Sequence, residues 1–169
     1  MAKKKSKSVA EIALIGEIED WEKDVIEALL EVPSGGECQL YIDSSGGSVY
    51  GALAVFNLLQ HRQLRATAVV LGECSSATLL IFAACQKRQV SPHSAFLFHH
   101  MHWESEKRIT SGQAVAWARH FEHLEKEMDE LLFRLLGNAE QIRAWTAADR
   151  YVLGSELVAA GIADFFPHK

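Results

Sequence analysis

The amino-acid sequence predicts an α/β fold with a mainly parallel sheet. Three consecutive units in the first half of the chain each combine a short apolar strand with a helix, and right-handed crossovers between such units produce parallel strands. The apolar fraction is 49% and the charged fraction 23%, as in ordinary globular proteins. The 169 residues fit one domain, which we place at residues 11–169 after a Lys-rich disordered tail at residues 1–10.

The three repeated units occupy the chain up to residue 84. The predicted strands cover residues 12–15, 38–42 and 65–71, and the predicted helices cover residues 20–32, 49–59 and 76–84. In the first helix Trp21, Val25 and Leu29 recur every four residues, so they lie on one face, and Pro33 ends the helix. The third helix is apolar throughout, which predicts that it is buried.

A long helix at about residues 111–136 follows a predicted strand at residues 95–98. Thr110 and Gln113 have the spacing of a capping box, and Gly137 stands where a helix C′ glycine belongs. Between them apolar residues alternate at spacings of three and four, a heptad pattern that favours packing against another helix. These residues are Ala114, Trp117, Phe121, Leu124, Met128, Leu131 and Leu135. The pattern predicts an oligomer, and the alternative is a core helix that packs across its own sheet.

The last part of the chain predicts short elements: a helix at residues 139–144, a loop at residues 146–150, a helix at residues 155–160 and a β-like segment at residues 162–166.

Charge and hydropathy exclude several classes of protein. The net charge is −5, and the only lysine cluster lies in the tail, so an acidic surface without a basic stripe argues against nucleic-acid binding. The longest apolar stretch, residues 77–85, is about half of the ~20 residues that span a bilayer, which argues against a membrane protein. Residues 6–12 contain Lys7 and Glu11 and no signal-peptide core, so we expect a cytoplasmic protein. The three cysteines have no CxxC spacing, and we expect buried thiols at Cys38 and Cys85.

Two loops lie where parallel strands end, the position at which such folds carry their chemistry. The first contains Gly46 and Gly47 before a helix, so its backbone N–H groups suit an anion or a developing oxyanion; a simple tight turn is the alternative. The second contains Cys74, Ser75 and Ser76 before the apolar helix. A hydroxyl there suits a nucleophile, and a helix N-cap is the alternative.

A histidine-rich segment begins at the end of the strand at residues 95–98. His99 fits a general base if it reaches Ser76. The alternative is a zinc site formed by His100 and His102 with His93, although no Glu or Cys is spaced to complete it. We therefore expect no metal and no cofactor.

Four segments in the same order resemble the Clp protease proteolytic subunit (ClpP) family of the ClpP/crotonase superfamily. They cover residues 41–49, 71–77, 93–99 and 140–164, and the likeness extends from about residue 12 to residue 166. The resemblance implies repeated β-β-α units and a projecting handle helix at about residues 111–136. It also implies roles for five residues: Ser76 as nucleophile, His99 as base, Asp149 as orienting acid, and the backbone N–H groups of Gly47 and Ala77 as the oxyanion hole.

The resemblance further implies a serine endopeptidase that cleaves peptides or unfolded polypeptides inside a homo-oligomeric chamber, with heptameric rings stacked through their handle helices. Family members also dock an AAA+ unfoldase, but Gln39 and His61 are polar at two of the matching positions and argue against that partner. The segment before the first strand is shorter than the family's pore-forming segment. Residues 103–108 are highly charged where the family has a Gly-rich strand, and Ser45 stands where proline is common.

Two other functions compete with the peptidase. One is a catalytically silent ring subunit or scaffold, which the presence of Ser76, His99 and Asp149 disfavours. The other is an acyl-CoA enzyme of the crotonase type, which the short chain and the complete triad disfavour.

Overall fold

A computed structural model describes residues 9–105 and 108–167. Most of the predicted Lys-rich tail lies outside the described residues, and Ala10 already belongs to the first strand. Within these ranges the elements in chain order are β1 (Ala10–Glu17), α1 (Ile18–Glu31), β2 (Glu37–Gly46), α2 (Val49–His61), β3 (Arg65–Cys74), α3 (Thr78–Ala84), β4 (Lys87–Val90), β5 (Ala95–Phe98), α4 (Ser111–Leu136), α5 (Ala139–Ala147), β6 (Arg150–Leu153), α6 (Gly154–Ala159) and β7 (Asp164–Phe165).

The strands form a sheet in the order β1-β2-β3-β4-β7, and all of these neighbours are parallel. β5 continues from β3 through the parallel pair Glu73 and Ala95, and β6 runs antiparallel to β5. The predicted α/β fold with a mainly parallel sheet is therefore confirmed. This branch matters for function because it places the ends of β3, β5 and the start of β6 side by side.

Helix burial explains how the sheet is covered. Trp21, Val25 and Leu29 on α1 are buried, as their spacing predicted. All of α3 is buried, so this apolar helix forms the centre of the core rather than part of the surface. Of the helices in residues 9–105 and 108–167, none combines the length and the hydropathy needed to cross a bilayer.

Several element bounds differ from the predictions. β2 and β3 run on to Gly46 and Cys74, because ladder pairing continues past the apolar residues, and α3 begins at Thr78 rather than at residue 76. β4 and β6 were not predicted. The predicted loop at residues 146–150 is shared between α5 and β6. Both missed strands are four residues long and carry charged or polar side chains, so tertiary pairing rather than local sequence forms them.

The long helix α4 has the predicted bounds and caps. The Thr110 hydroxyl accepts a hydrogen bond from Gln113 N–H, and Gly137 has a φ of 69°. Its buried residues, however, are Leu132 and Leu136, one position away from the heptad pattern. The C-terminal third of α4 therefore packs on the protomer core, mainly against α3 and α5 rather than across the sheet, as the core-helix alternative had it. The N-terminal part leaves apolar side chains exposed, with Trp117 37% exposed.

Candidate active site

Ser76 occupies a sharp turn between β3 and α3. Its φ of 57° is left-handed, a conformation that costs a non-glycine residue about 1–3 kcal/mol and that clusters at functional sites. The backbone N–H of Ser76 donates a hydrogen bond of 3.0 Å to the Leu97 carbonyl of β5. The neighbouring strand thus holds the turn, and the Ser76 side chain lines a cavity.

The two residues before Ser76 are buried and do not line the cavity. Ser75 is fully buried, and its hydroxyl accepts a 3.0 Å hydrogen bond from Leu97 N–H. Cys74 is also fully buried, and burial raises the pKa of its thiol well above the ordinary value. A thiolate at Cys74 is therefore strongly disfavoured. Of these three candidates, only Ser76 faces the cavity.

His99 follows β5 and reaches the serine. Its Nε2 lies 2.8 Å from the Ser76 hydroxyl oxygen. The pKa of His99 is lowered, first by burial and then by the charge of His102, whose ring centroid is 5.2 Å away; the charge of Asp149 acts in the opposite direction. The site therefore favours the neutral imidazole, which is the form that accepts a proton from serine.

Asp149 lies in the turn between α5 and β6, with a left-handed φ of 44°. It is exposed, and its Oδ1 accepts a 3.2 Å hydrogen bond from the backbone N–H of His100. Within residues 9–105 and 108–167, no hydrogen bond joins Asp149 to the His99 ring. Asp149 is thus near the base, and its contact with the base runs through His100.

The Gly46-Gly47 pair is shaped by its approach to the serine. Gly46 has a φ of 107°, and a Cβ built on it would lie 2.6 Å from Ser76 Cβ and 2.9 Å from the Ser75 carbonyl oxygen. Gly47 has a φ of 126° and lines the cavity together with Ala77. A glycine at 46 is required for this close contact, so the tight-turn alternative does not by itself explain the pair.

A cavity of about 240 Å³ extends from Ser76 to α4. Its walls include four α4 residues that the sequence did not assign to the site: Glu125, Met128, Asp129 and Leu132. Their spacing of three, one and three places them on one helical face, which was the available signal. The pKa of Asp129 is raised, first by burial and then by the neighbouring Glu125 charge. The cavity therefore has apolar walls with two carboxyl groups on the α4 side.

The two histidines that follow His99 in this segment, His100 and His102, have protein partners. His100 Nδ1 lies 3.1 Å from Glu125 Oε1, and His102 packs against His99. In the part of the chain that the structure describes, no group of three His, Cys, Asp or Glu residues is placed to hold a metal ion. These contacts give the zinc alternative no support.

A serine at the end of a parallel strand, a half-buried histidine at hydrogen-bond distance and a glycine pair against the serine form the geometry that serine hydrolases use. The family model for Clp protease matches residues 4–166. The chain belongs to the Clp protease family.

Individual relatives are distant. The chain is 30% identical over 128 residues to ATP-dependent Clp protease proteolytic subunit 1 of Corynebacterium diphtheriae, an alignment that covers 74% of this chain and 61% of the relative. It is 31% identical over 128 residues to subunit 1 of Corynebacterium glutamicum, with the same coverage of both chains. The match to subunit 2 of Rhodococcus jostii is 29% over 133 residues, covering 76% of this chain and 66% of the relative. The aligned part thus spans about 61% of the first of these relatives.

Proposed function

We propose that the protein is a serine endopeptidase that cleaves peptides or unfolded polypeptides with Ser76, His99 and Asp149. The observation that carries this proposal is the 2.8 Å contact between His99 Nε2 and the hydroxyl of a serine in a left-handed turn. Membership of the Clp protease family supports it.

The chemistry divides into two steps. Neutral His99 takes the Ser76 proton while Oγ bonds to the peptide carbonyl carbon, and the imidazolium then protonates the amine that leaves. In the second step His99 takes a proton from water, whose oxygen attacks the acyl carbon, and Ser76 regains its proton as the acid product leaves. In both steps the backbone N–H groups of Gly47 and Ala77 donate hydrogen bonds to the negatively charged oxygen of the tetrahedral intermediate.

Asp149 stabilises the protonated form of His99. Its charge raises the pKa of His99, which means that it stabilises the imidazolium formed in each step. Because burial lowers the pKa of His99 overall, its imidazole is neutral in the resting protein. The charge of Asp149 reduces the cost of protonating that ring. This division of roles suits a base that must gain and then lose one proton.

The proposed assembly is a homo-oligomeric ring, a heptamer stacked through α4, with the sites facing an enclosed chamber. Exposed Val115 and Trp117 on the projecting part of α4 support a helix-to-helix contact. The relatives are named ATP-dependent subunits, but half-buried Gln39 and exposed His61 place polar groups at two positions that match the family's docking surface, which argues against an AAA+ unfoldase as a partner here. Cytoplasmic localisation stays a prediction from the sequence.

A covalent probe tests the proposal. A fluorophosphonate should label the wild-type protein at Ser76, and Ser76→Ala should abolish both labelling and peptidase activity. Ser155→Ala is the matched control, since Ser155 is exposed at the start of α6. Wild-type protein that forms no adduct would instead support the silent ring subunit, and turnover of a CoA ester without peptide cleavage would support the crotonase-type enzyme.

A further inference from the structure

Glu125 on α4 holds the segment that follows His99. Its Oε1 accepts a 2.7 Å hydrogen bond from the backbone N–H of Met101 and lies 3.1 Å from His100 Nδ1. Residues 99–105 form neither helix nor strand, so no ladder fixes this backbone. The Glu125 side chain is 31% exposed, which places it at the edge of the cavity. One carboxylate oxygen therefore anchors two consecutive residues beyond the base.

The anchored N–H belongs to the peptide group between His100 and Met101, which follows the base closely along the chain. Met101 N–H and the His100 carbonyl are parts of one planar peptide. His100 is joined directly to His99, so a shift of this peptide moves the backbone that carries the His99 ring.

The peptide on the other side of His100 is held by a second carboxylate, because Asp149 Oδ1 accepts the His100 N–H at 3.2 Å. His100 is thus fixed from two directions, by the turn before β6 and by α4. His99, whose Nε2 lies 2.8 Å from the Ser76 hydroxyl oxygen, is the residue directly before this fixed one.

We propose that Glu125 is a positioning residue for the reaction: by fixing the peptide between His100 and Met101, it keeps the His99 ring directed at Ser76. This inference rests on the proposed peptidase function. Glu125 acts through that peptide rather than on the substrate, and it links the position of α4 to the geometry of the base.

The test compares Glu125→Ala and Glu125→Gln with Glu127→Ala, an exposed residue on the same helix. A misplacement of the base by about 1 Å costs about 100-fold in rate. Glu125→Ala should therefore slow fluorophosphonate acylation of Ser76 and lower kcat by about 10- to 100-fold, with KM nearly unchanged. Glu125→Gln keeps an acceptor oxygen for Met101 N–H and should recover most of the rate, and Glu127→Ala should match the wild type.

Acylation of Glu125→Ala at the wild-type rate, or a loss confined to KM, would overturn the inference. Melting temperature and mass in solution identify a variant that fails to fold or assemble. Should Glu125→Ala fail to fold, Glu125→Met replaces it, since this side chain keeps the length but has no oxygen; a Met variant as fast as the Gln variant also overturns the inference. Failure of the wild type to react at Ser76 would instead refute the peptidase proposal itself.

Discussion

Replacement of Gly46 by alanine tests whether the glycine pair exists to let β2 contact the nucleophile. The new Cβ would lie 2.6 Å from Ser76 Cβ and 2.9 Å from the Ser75 carbonyl oxygen. Gly35 is the matched control, because it also has a positive φ, 71°, but a Cβ built on it meets no atom within 4 Å. Both substitutions reduce the freedom of the unfolded chain equally, so the difference between them reports the contact.

The magnitude follows from two costs. A left-handed conformation costs a non-glycine residue about 1–2 kcal/mol, and overpacking costs about 1–3 kcal/mol. Gly46→Ala should therefore lose about 2–5 kcal/mol, and Gly35→Ala only the first part. At about 2–4 °C per kcal/mol for a chain of this size, Gly46→Ala should lower Tm by about 10 °C and Gly35→Ala by about 4 °C.

Relief of the contact must also displace Ser76, by about 0.8 Å to reach an ordinary contact distance. Such a shift should slow acylation of Ser76 by about 100-fold in Gly46→Ala, with the Gly35→Ala rate unchanged. The assays are thermal unfolding and the second-order rate of fluorophosphonate labelling. Equal Tm losses in the two variants, together with equal labelling rates, would refute the reasoning.

Three further predictions concern the base, the nucleophile and the assembly. Because burial lowers the pKa of His99, peptidase activity should be lost on acidification at a midpoint below 6.5, and a midpoint above that value in a pH–rate profile would contradict the assignment. Ser76→Ala should lower kcat by about 10³-fold or more, and retained activity in the purified variant would disprove its role. Val115→Glu with Trp117→Glu should reduce the mass in solution and the activity without a large change in Tm, whereas light scattering of a fully active wild-type monomer would contradict the ring.

The elements with strong local signals were predictable from sequence. The bounds of α4 agree with the structure because its caps are encoded by adjacent residues, Thr110, Gln113 and Gly137. β5 was likewise predicted at its observed bounds, since it is a purely apolar segment. β4 and β6 were missed because pairing with a neighbouring strand, rather than their own composition, forms them.

The residues of the site were predictable to different extents, for the same physical reason. The loops that contain Gly47 and Ser76 could be identified because parallel strands end there, and His99 could be proposed as a base because it follows a strand. The role of Asp149 came from the family resemblance. Glu125 could not be identified, because its main partner is the backbone N–H of Met101. Every residue except proline has this group, so the contact cannot be recognised from residue types. On α4 the two buried residues, Leu132 and Leu136, adjoin the heptad positions, whereas Met128, Leu131 and Leu135 of the pattern are half-buried against the same core. The oligomer that the pattern predicts stays a prediction.

The branch of the sheet has a consequence for the order in which the site is made during translation. Ser76 and His99 leave the ribosome early, but Asp149 and β6, which pairs with β5, follow about 50 residues after His99. At about 5–20 residues per second this interval lasts roughly 3–10 s. During that time β5 lacks its antiparallel neighbour and His100 lacks its Asp149 contact. The nascent chain therefore carries an incomplete site, and hydrolytic competence is expected only once β6 has been added.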